Sequence, residues 1–137
     1  MTTPFEVLLG DPSSSLVVHV PHASTHIPAA VRDGIALSDA VLDAEAERMA
    51  DVATDRMALA AAERVPCRPW IFINRLSRLV VDPERFPDER EPMNALGMGA
   101  VYRSTSSGGV LRRPDAQRDA ALIDGYFTPY ALSLIHI

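Results

Sequence analysis

Three groups of residues in this 137-residue chain have types and spacings that could do chemistry. The first is His22, flanked by His19 and His26 in the stretch Leu16-Val17-Val18-His19-Val20-Pro21-His22-Ala23-Ser24-Thr25-His26-Ile27-Pro28. Val17, Val18 and Val20 favour a buried strand, and Pro21 cannot donate to a sheet ladder, so the next side chain leaves the sheet at its carboxyl end. That is where an α/β enzyme puts a metal ligand, which singles out His22. A lone histidine beside an apolar strand is more often a hydrogen-bonded core residue, and a ligand needs a partner carboxylate.

Such carboxylates come from the second group, Asp39, Asp43, Glu47, Asp51 and Asp55, spaced four apart. Four-residue steps drift by roughly 40° each around a helix, so the series cannot all face one site. Like charges at that spacing also destabilise a helix unless a cation offsets them, and most of the series reads as a solvated face. Asp51 and Asp55 are the candidates to look inward, with Arg48 and Arg56 as ordinary salt-bridge partners. With His22, either would make the mixed nitrogen and oxygen ligation that suits zinc.

The third group is Asn74-Arg75-Leu76-Ser77-Arg78-Leu79-Val80-Val81-Asp82. Arg75 or Arg78 can grip a substrate carboxylate through a planar two-donor fork that lysine cannot match. The competing reading is an internal Arg78 to Asp82 pair that stabilises the sheet edge. Arg103, Arg112 and Arg113 form a weaker second anion site or a basic loop. No Gly-rich phosphate loop, Gly-x-Ser-x-Gly elbow or His-Glu-x-x-His helix occurs, which steers away from nucleotide hydrolases, serine hydrolases and the common metalloproteases.

The elements that must position these groups follow from punctuation and period. Phe5 to Leu9 is a short apolar run stopped by Gly10-Asp11-Pro12, and Leu16 to Val20 is the first clear strand. Ile27-Pro28 through Gly34 reads as a short helical turn. Ser38 opens helix-favouring sequence that continues through Glu63, as one long helix or as two broken near Asp51. Trp70 to Ile73 and Leu79 to Val81 read as further strands. Residues 82 to 109 form a long irregular segment, of a kind more often functional than passive. Arg113-Pro114-Asp115 opens a last helix through Tyr126. The order β, α, β, β, loop, α predicts an α/β layer structure.

Composition sets the remaining bounds. With 47% hydrophobic and 23% charged residues the chain is of ordinary globular type and long enough for one modest core. A formal charge of −5 gives no broad basic field, so nucleic acid is not an expected partner. A single cysteine, Cys67, fits a reducing compartment and reads as a small buried or loop residue. Met1 to Gly10 has no signal-peptide pattern, and no stretch approaches the roughly 20 apolar residues that span a bilayer. The expectation is a cytoplasmic protein without a membrane partner.

Taken in order, Val20-Pro21-His22 with Ile27-Pro28, then Asp51 and Thr54-Asp55-Arg56, then Ser77-Arg78-Leu79-Val80-Val81-Asp82 resemble the N-formylglutamate amidohydrolase family, over about Leu16 to Tyr130. The resemblance implies an α/β fold with a mixed sheet flanked by helices, of the zinc-carboxypeptidase or phosphorylase/hydrolase type. It implies a hydrolase that uses zinc or another divalent metal to cleave an N-formyl or N-acyl amide, with a small anionic N-acyl amino acid as substrate. By it His22 is a metal ligand and Asp51 the carboxylate ligand, Asp55 being the alternative if the register differs. Arg78, with Arg75 beside it, would hold the substrate carboxylate, and Asp82 would orient Arg78.

The departures are equally informative. Ala23 and Ser24 replace a more glycine-rich loop, and the family's later Asp-x-His metal motif has no counterpart here. His136 lies in Leu132-Ser133-Leu134-Ile135-His136-Ile137, which reads as translated adapter sequence, so it is not recruited as the missing ligand. The expectation is that residues 1–131 are the amino-terminal part of a single truncated hydrolase domain and 132–137 a non-native tail. The third ligand and the general base would then lie outside the chain, which alone would show little activity. The alternative is a non-catalytic anion-binding or interaction domain built on Arg75, Arg78 and the arginines of 103 to 113.

Overall fold

Three short strands carry the architecture in the computed structural model, which describes residues 4–137. Met1 to Thr3, where the stretch read for a targeting signal begins, lie outside the described residues. Strand β1 (Phe5–Leu8) runs antiparallel to β3 (Trp70–Asn74), and β2 (Val17–Val20) runs parallel to it, giving the order β1-β3-β2. The central strand is buried because its alternating residues meet apolar partners on both faces. Ile71 and Ile73 pack with Val20 and Ala62 on one face. Phe72 stacks on Phe5 and meets Tyr130 edge-on on the other, with ring centroids 5.0 and 4.8 Å away.

Between the parallel strands lies a crossover of three helices, α1 (Ala29–Arg32), α2 (Asp39–Met49) and α3 (Thr54–Ala62). Of the two expectations for this stretch, one long helix or two broken near Asp51, the structure has the second. Ala53, before α3, holds a left-handed φ of 69°, a conformation that disfavours side chains with a Cβ. A 3-10 turn (Pro92–Leu96) follows β3, and the last helical segment has three parts: α4 (Ala116–Leu122), a π turn (Ile123–Phe127) and α5 (Thr128–Ile135). Asp115 caps α4 by accepting the Arg118 N–H at 3.0 Å. The mixed sheet with flanking helices agrees with the predicted fold class.

Leu79-Val80-Val81 is not a strand. The run is buried but lies in turn and irregular backbone, and its side chains divide between two clusters. Leu79 joins Ile35, Leu42, Tyr102 and Leu111, whereas Val80 and Val81 join Val31, Leu76 and Leu122. Its backbone is satisfied without a ladder partner: Val80 N–H donates to Ser77 O at 2.9 Å and Asp82 N–H to Ala100 O at 2.8 Å. The buried Arg112 guanidinium donates to Leu79 O at 2.5 Å and Tyr102 O at 2.9 Å. Burial pulls the Arg112 pKa down to about 10, which still leaves it charged at neutral pH. Arg112 is thus a structural crosslink and not part of an anion site.

Candidate active site

His22 sits one residue beyond the proline that ends β2, at the carboxyl end of the two parallel strands. Asn74 ties those ends together, donating from Nδ2 to Pro21 O at 2.9 Å and accepting the Leu76 N–H at 3.1 Å. His22 is 3% exposed, and its Nε2 lies 2.9 Å from Oδ1 of Asp82, which is fully buried. Burial by itself would raise the Asp82 pKa. The hydrogen bond from His22, the Arg78 guanidinium and the Tyr102 hydroxyl outweigh it and hold the carboxyl well below the usual range. Asp82 is therefore an acceptor, so Nε2 carries a proton, and in the neutral ring it is Nδ1 that presents a lone pair.

Two carboxylates meet that lone pair. Asp51 Oδ2 and Glu84 Oε2 each lie 3.6 Å from His22 Nδ1, and both line an open cleft of about 520 Å³ together with His19 and Thr54. Asp51 is set by the backbone, since its N–H donates to His22 O at 2.9 Å. Glu84 is set by a turn in which its N–H donates to Asp82 Oδ1 at 3.1 Å. The dipeptide Asp82-Pro83 already announced that turn, and the residue two positions beyond Asp82 was the signal that sequence reasoning passed over.

Tetrahedral zinc held by an imidazole nitrogen and a carboxylate oxygen keeps those atoms about 3.3 Å apart. The 3.6 Å between His22 Nδ1 and Asp51 Oδ2 fits that pair. The hydrogen bond that the far ring nitrogen donates to a carboxylate is also the one that orients metal-bound histidines. Among the described residues, however, no group of three or more His, Cys, Asp and Glu side chains is disposed to hold a metal ion. His22 and Asp51 fit as two donors of a larger set.

Other candidates are placed elsewhere. Asp55 pairs with Arg75 at 3.1 Å, and Arg75 also reaches Glu6 at 2.5 Å, so this trio braces α3 against β1. Arg78 spends Nε and Nη2 on Asp82 Oδ2, at 3.1 and 2.6 Å, and its guanidinium lies 5.8 Å from the Tyr102 ring centroid. Asp82 thus orients both Arg78 and His22, the second of which was not foreseen. Tyr102 completes the hub by donating to Asp82 Oδ2 at 2.8 Å, and burial first, then the Asp82 charge, pushes its pKa up to about 12. Arg85 contributes a second cation, its Nε 3.6 Å from Asp82 Oδ2.

Asp39, Asp43 and Glu47 are exposed, and so is Asp51, contrary to the expectation that it looks inward, whereas Asp55 is half-buried. His26 and His136 are exposed as well, and Arg103 pairs with Asp119. Cys67 is exposed in the connection before β3. No helix among the described residues is long and apolar enough to cross a membrane.

Comparison with known proteins bears on the fold and the family. No curated protein sequence matches the chain. Among solved structures, the fold resembles the N-formylglutamate amidohydrolase of Ralstonia eutropha JMP134, with a TM-score of 0.72 at 20% identity. The match covers 96% of this chain and 50% of that one, so the chain spans half the length of its solved relative. A family model described as N-formylglutamate amidohydrolase matches residues 14–136, a span that includes His22, Asp51, Arg78, Asp82 and Glu84. With nearly its whole length matched, the chain belongs to the N-formylglutamate amidohydrolase family.

Proposed function

We propose that the cleft beside His22 serves hydrolysis of an N-formyl or related N-acyl amide of an amino acid, with zinc or another divalent ion held by His22 and Asp51. The observation that carries this reading is the hydrogen bond from His22 Nε2–H to the buried Asp82 carboxylate, which leaves Nδ1 as a fixed lone pair beside Asp51. When bound, such an ion lowers the pKa of a water and polarises the amide carbonyl.

The chain's own residues supply the rest. Asp82 holds the imidazole in one tautomer and one orientation, so that no reorganisation is needed during the reaction. Glu84 Oε2, 3.6 Å from His22 Nδ1, lines the cleft and would take a proton from the attacking water and return it to the leaving amine. Arg78 retains Nη1 outside its contacts with Asp82, and a substrate carboxylate would meet it there. The charge of Arg78 then both steadies Asp82 and attracts the anionic substrate.

The anion-binding alternative has less to work with beyond Arg78, because Arg75 and Arg103 are each paired with a carboxylate and Arg112 is buried on backbone carbonyls. Isothermal titration of the 137-residue chain with N-formyl-L-glutamate separates the two. Zinc-linked binding that disappears with chelator and with His22→Ala supports the hydrolase reading. Binding indifferent to both would replace it with the anion module.

A further inference from the structure

A polar contact beside the candidate site that the mechanism does not use joins His19 to Tyr130. His19 lies on β2, three residues before His22, and its Nε2 is 2.5 Å from the Tyr130 hydroxyl, delivered by α5 from 111 residues further along the chain. Tyr130 is 3% exposed, and its ring is fixed edge-on against Phe72 and Phe5, with centroids 4.8 and 5.7 Å away. So rigid a phenol has one hydroxyl position to offer the imidazole.

That contact selects a tautomer. Burial, reinforced by the charges of Glu84 and Asp82, raises the Tyr130 pKa, so the phenol keeps its proton. His19 Nε2 is the hydrogen-bond partner found for that hydroxyl among the described residues. Were Nε2 the donor, the buried phenolic proton would be left without an acceptor, an arrangement proteins avoid. Tyr130 therefore donates, Nε2 accepts, and the proton of the neutral ring resides on Nδ1.

Nδ1 has no protein partner among the described residues. Nor is it one of the buried polar atoms left unpaired, which among those residues are Arg85 Nε, Arg103 Nη1 and Arg112 Nε. It is open to solvent on a residue that lines the same cleft as Asp51 and Glu84. Every acidic group in that cleft is an acceptor, and His19 adds a neutral donor among them.

We infer that His19 is a substrate-binding residue of this cleft, its Nδ1–H donating to an oxygen of the bound N-acyl amino acid, and that Tyr130 is the positioning residue that fixes this tautomer. The inference rests on the hydrolase reading for its ligand but not for its tautomer, and the experiment separates the two.

Long-range 1H–15N NMR of the full chain reads the protonated ring nitrogen of His19 directly. The expected result is protonated Nδ1 and bare Nε2 in the wild type, with Nε2 becoming protonated in Tyr130→Phe. N-formyl-L-glutamate titrated in the presence of zinc should bind His19→Phe about fivefold more weakly than wild type, the effect of one lost hydrogen bond. His19→Asn, which keeps an N–H near the Nδ1 position, should restore most of it. An Nε2-protonated His19 in the wild type overturns the inference whatever the binding result. So does equal affinity in wild type and His19→Phe, which leaves the hydrolase reading standing, whereas a wild type that binds no N-formylglutamate with zinc defeats both.

Discussion

Replacing Asp82 by Asn tests the hub on which the site is built. Five hydrogen bonds converge on its two oxygens: His22 Nε2–H and the Glu84 N–H on Oδ1, and Arg78 Nε–H and Nη2–H and the Tyr102 hydroxyl on Oδ2. Asparagine has the same shape but one acceptor oxygen. If its NH2 takes the Oδ2 position it faces three donors, and if it flips it faces His22 and the Glu84 N–H. Either way at least two donors lose their acceptor and meet another donor. Asp82 is fully buried and the Arg78 side chain is 16% exposed, so the broken pair is an internal one, for which losses run at about 3–5 kcal/mol. We expect about 4 kcal/mol, a large fraction of the ~5–15 kcal/mol that holds a small domain. Urea unfolding followed by Trp70 fluorescence and far-ultraviolet circular dichroism should show the midpoint falling by about 2 M. Asp88→Asn, which removes an exposed pair with Arg90, is the control and should change stability by under about 0.5 kcal/mol. A loss below about 1 kcal/mol for Asp82→Asn would refute the reasoning, because the five contacts would then be geometry without consequence.

Two further outcomes follow from single residues. Because the native Asp82 pKa lies well below its unfolded value of about 3.9, the unfolded chain binds more protons as pH falls. The stability from Asp82 is therefore complete above about pH 4 and lost progressively below it, and unfolding at pH 2 to 5 should be less pH-dependent in Asp82→Asn than in wild type. Ala53→Gly relieves the left-handed backbone at φ 69° between Asp51 and α3, and should raise stability by about 0.5–1 kcal/mol in the same urea assay; a loss would show that the Ala53 methyl is needed.

How far the sequence could be read differs from one element to the next. The strand ending at Pro21 and the histidine released beyond it were legible, because β-branched residues and a missing N–H act locally. The break at Asp51 was left open by helix propensity, since what stops α2 there is a long-range bond from the Asp51 N–H to His22 O. Leu79 to Val81 misled because an apolar run records burial and not the ladder that would make it a strand. Arg112, more than thirty residues away, satisfies the Leu79 carbonyl in place of a neighbouring strand, and nothing local announces it. In the site, the Arg78 to Asp82 pair was visible at i, i+4 spacing, but the second oxygen of Asp82 reaches His22 sixty residues back. The Tyr130 to His19 contact is more distant still and depends on α5 crossing the sheet, which spacing alone does not convey.

The central claim is that His22 and Asp51 hold a divalent ion, with Asp82 orienting the histidine. Competitive zinc titration against a chromophoric chelator tests it most directly. The account predicts one equivalent of zinc bound by the wild type, with affinity reduced at least about tenfold in both His22→Ala and Asp51→Asn, the loss that even an outer-shell partner brings. Asp55→Asn, whose carboxylate is committed to Arg75, should bind as the wild type does. Undiminished zinc affinity in His22→Ala would contradict the account.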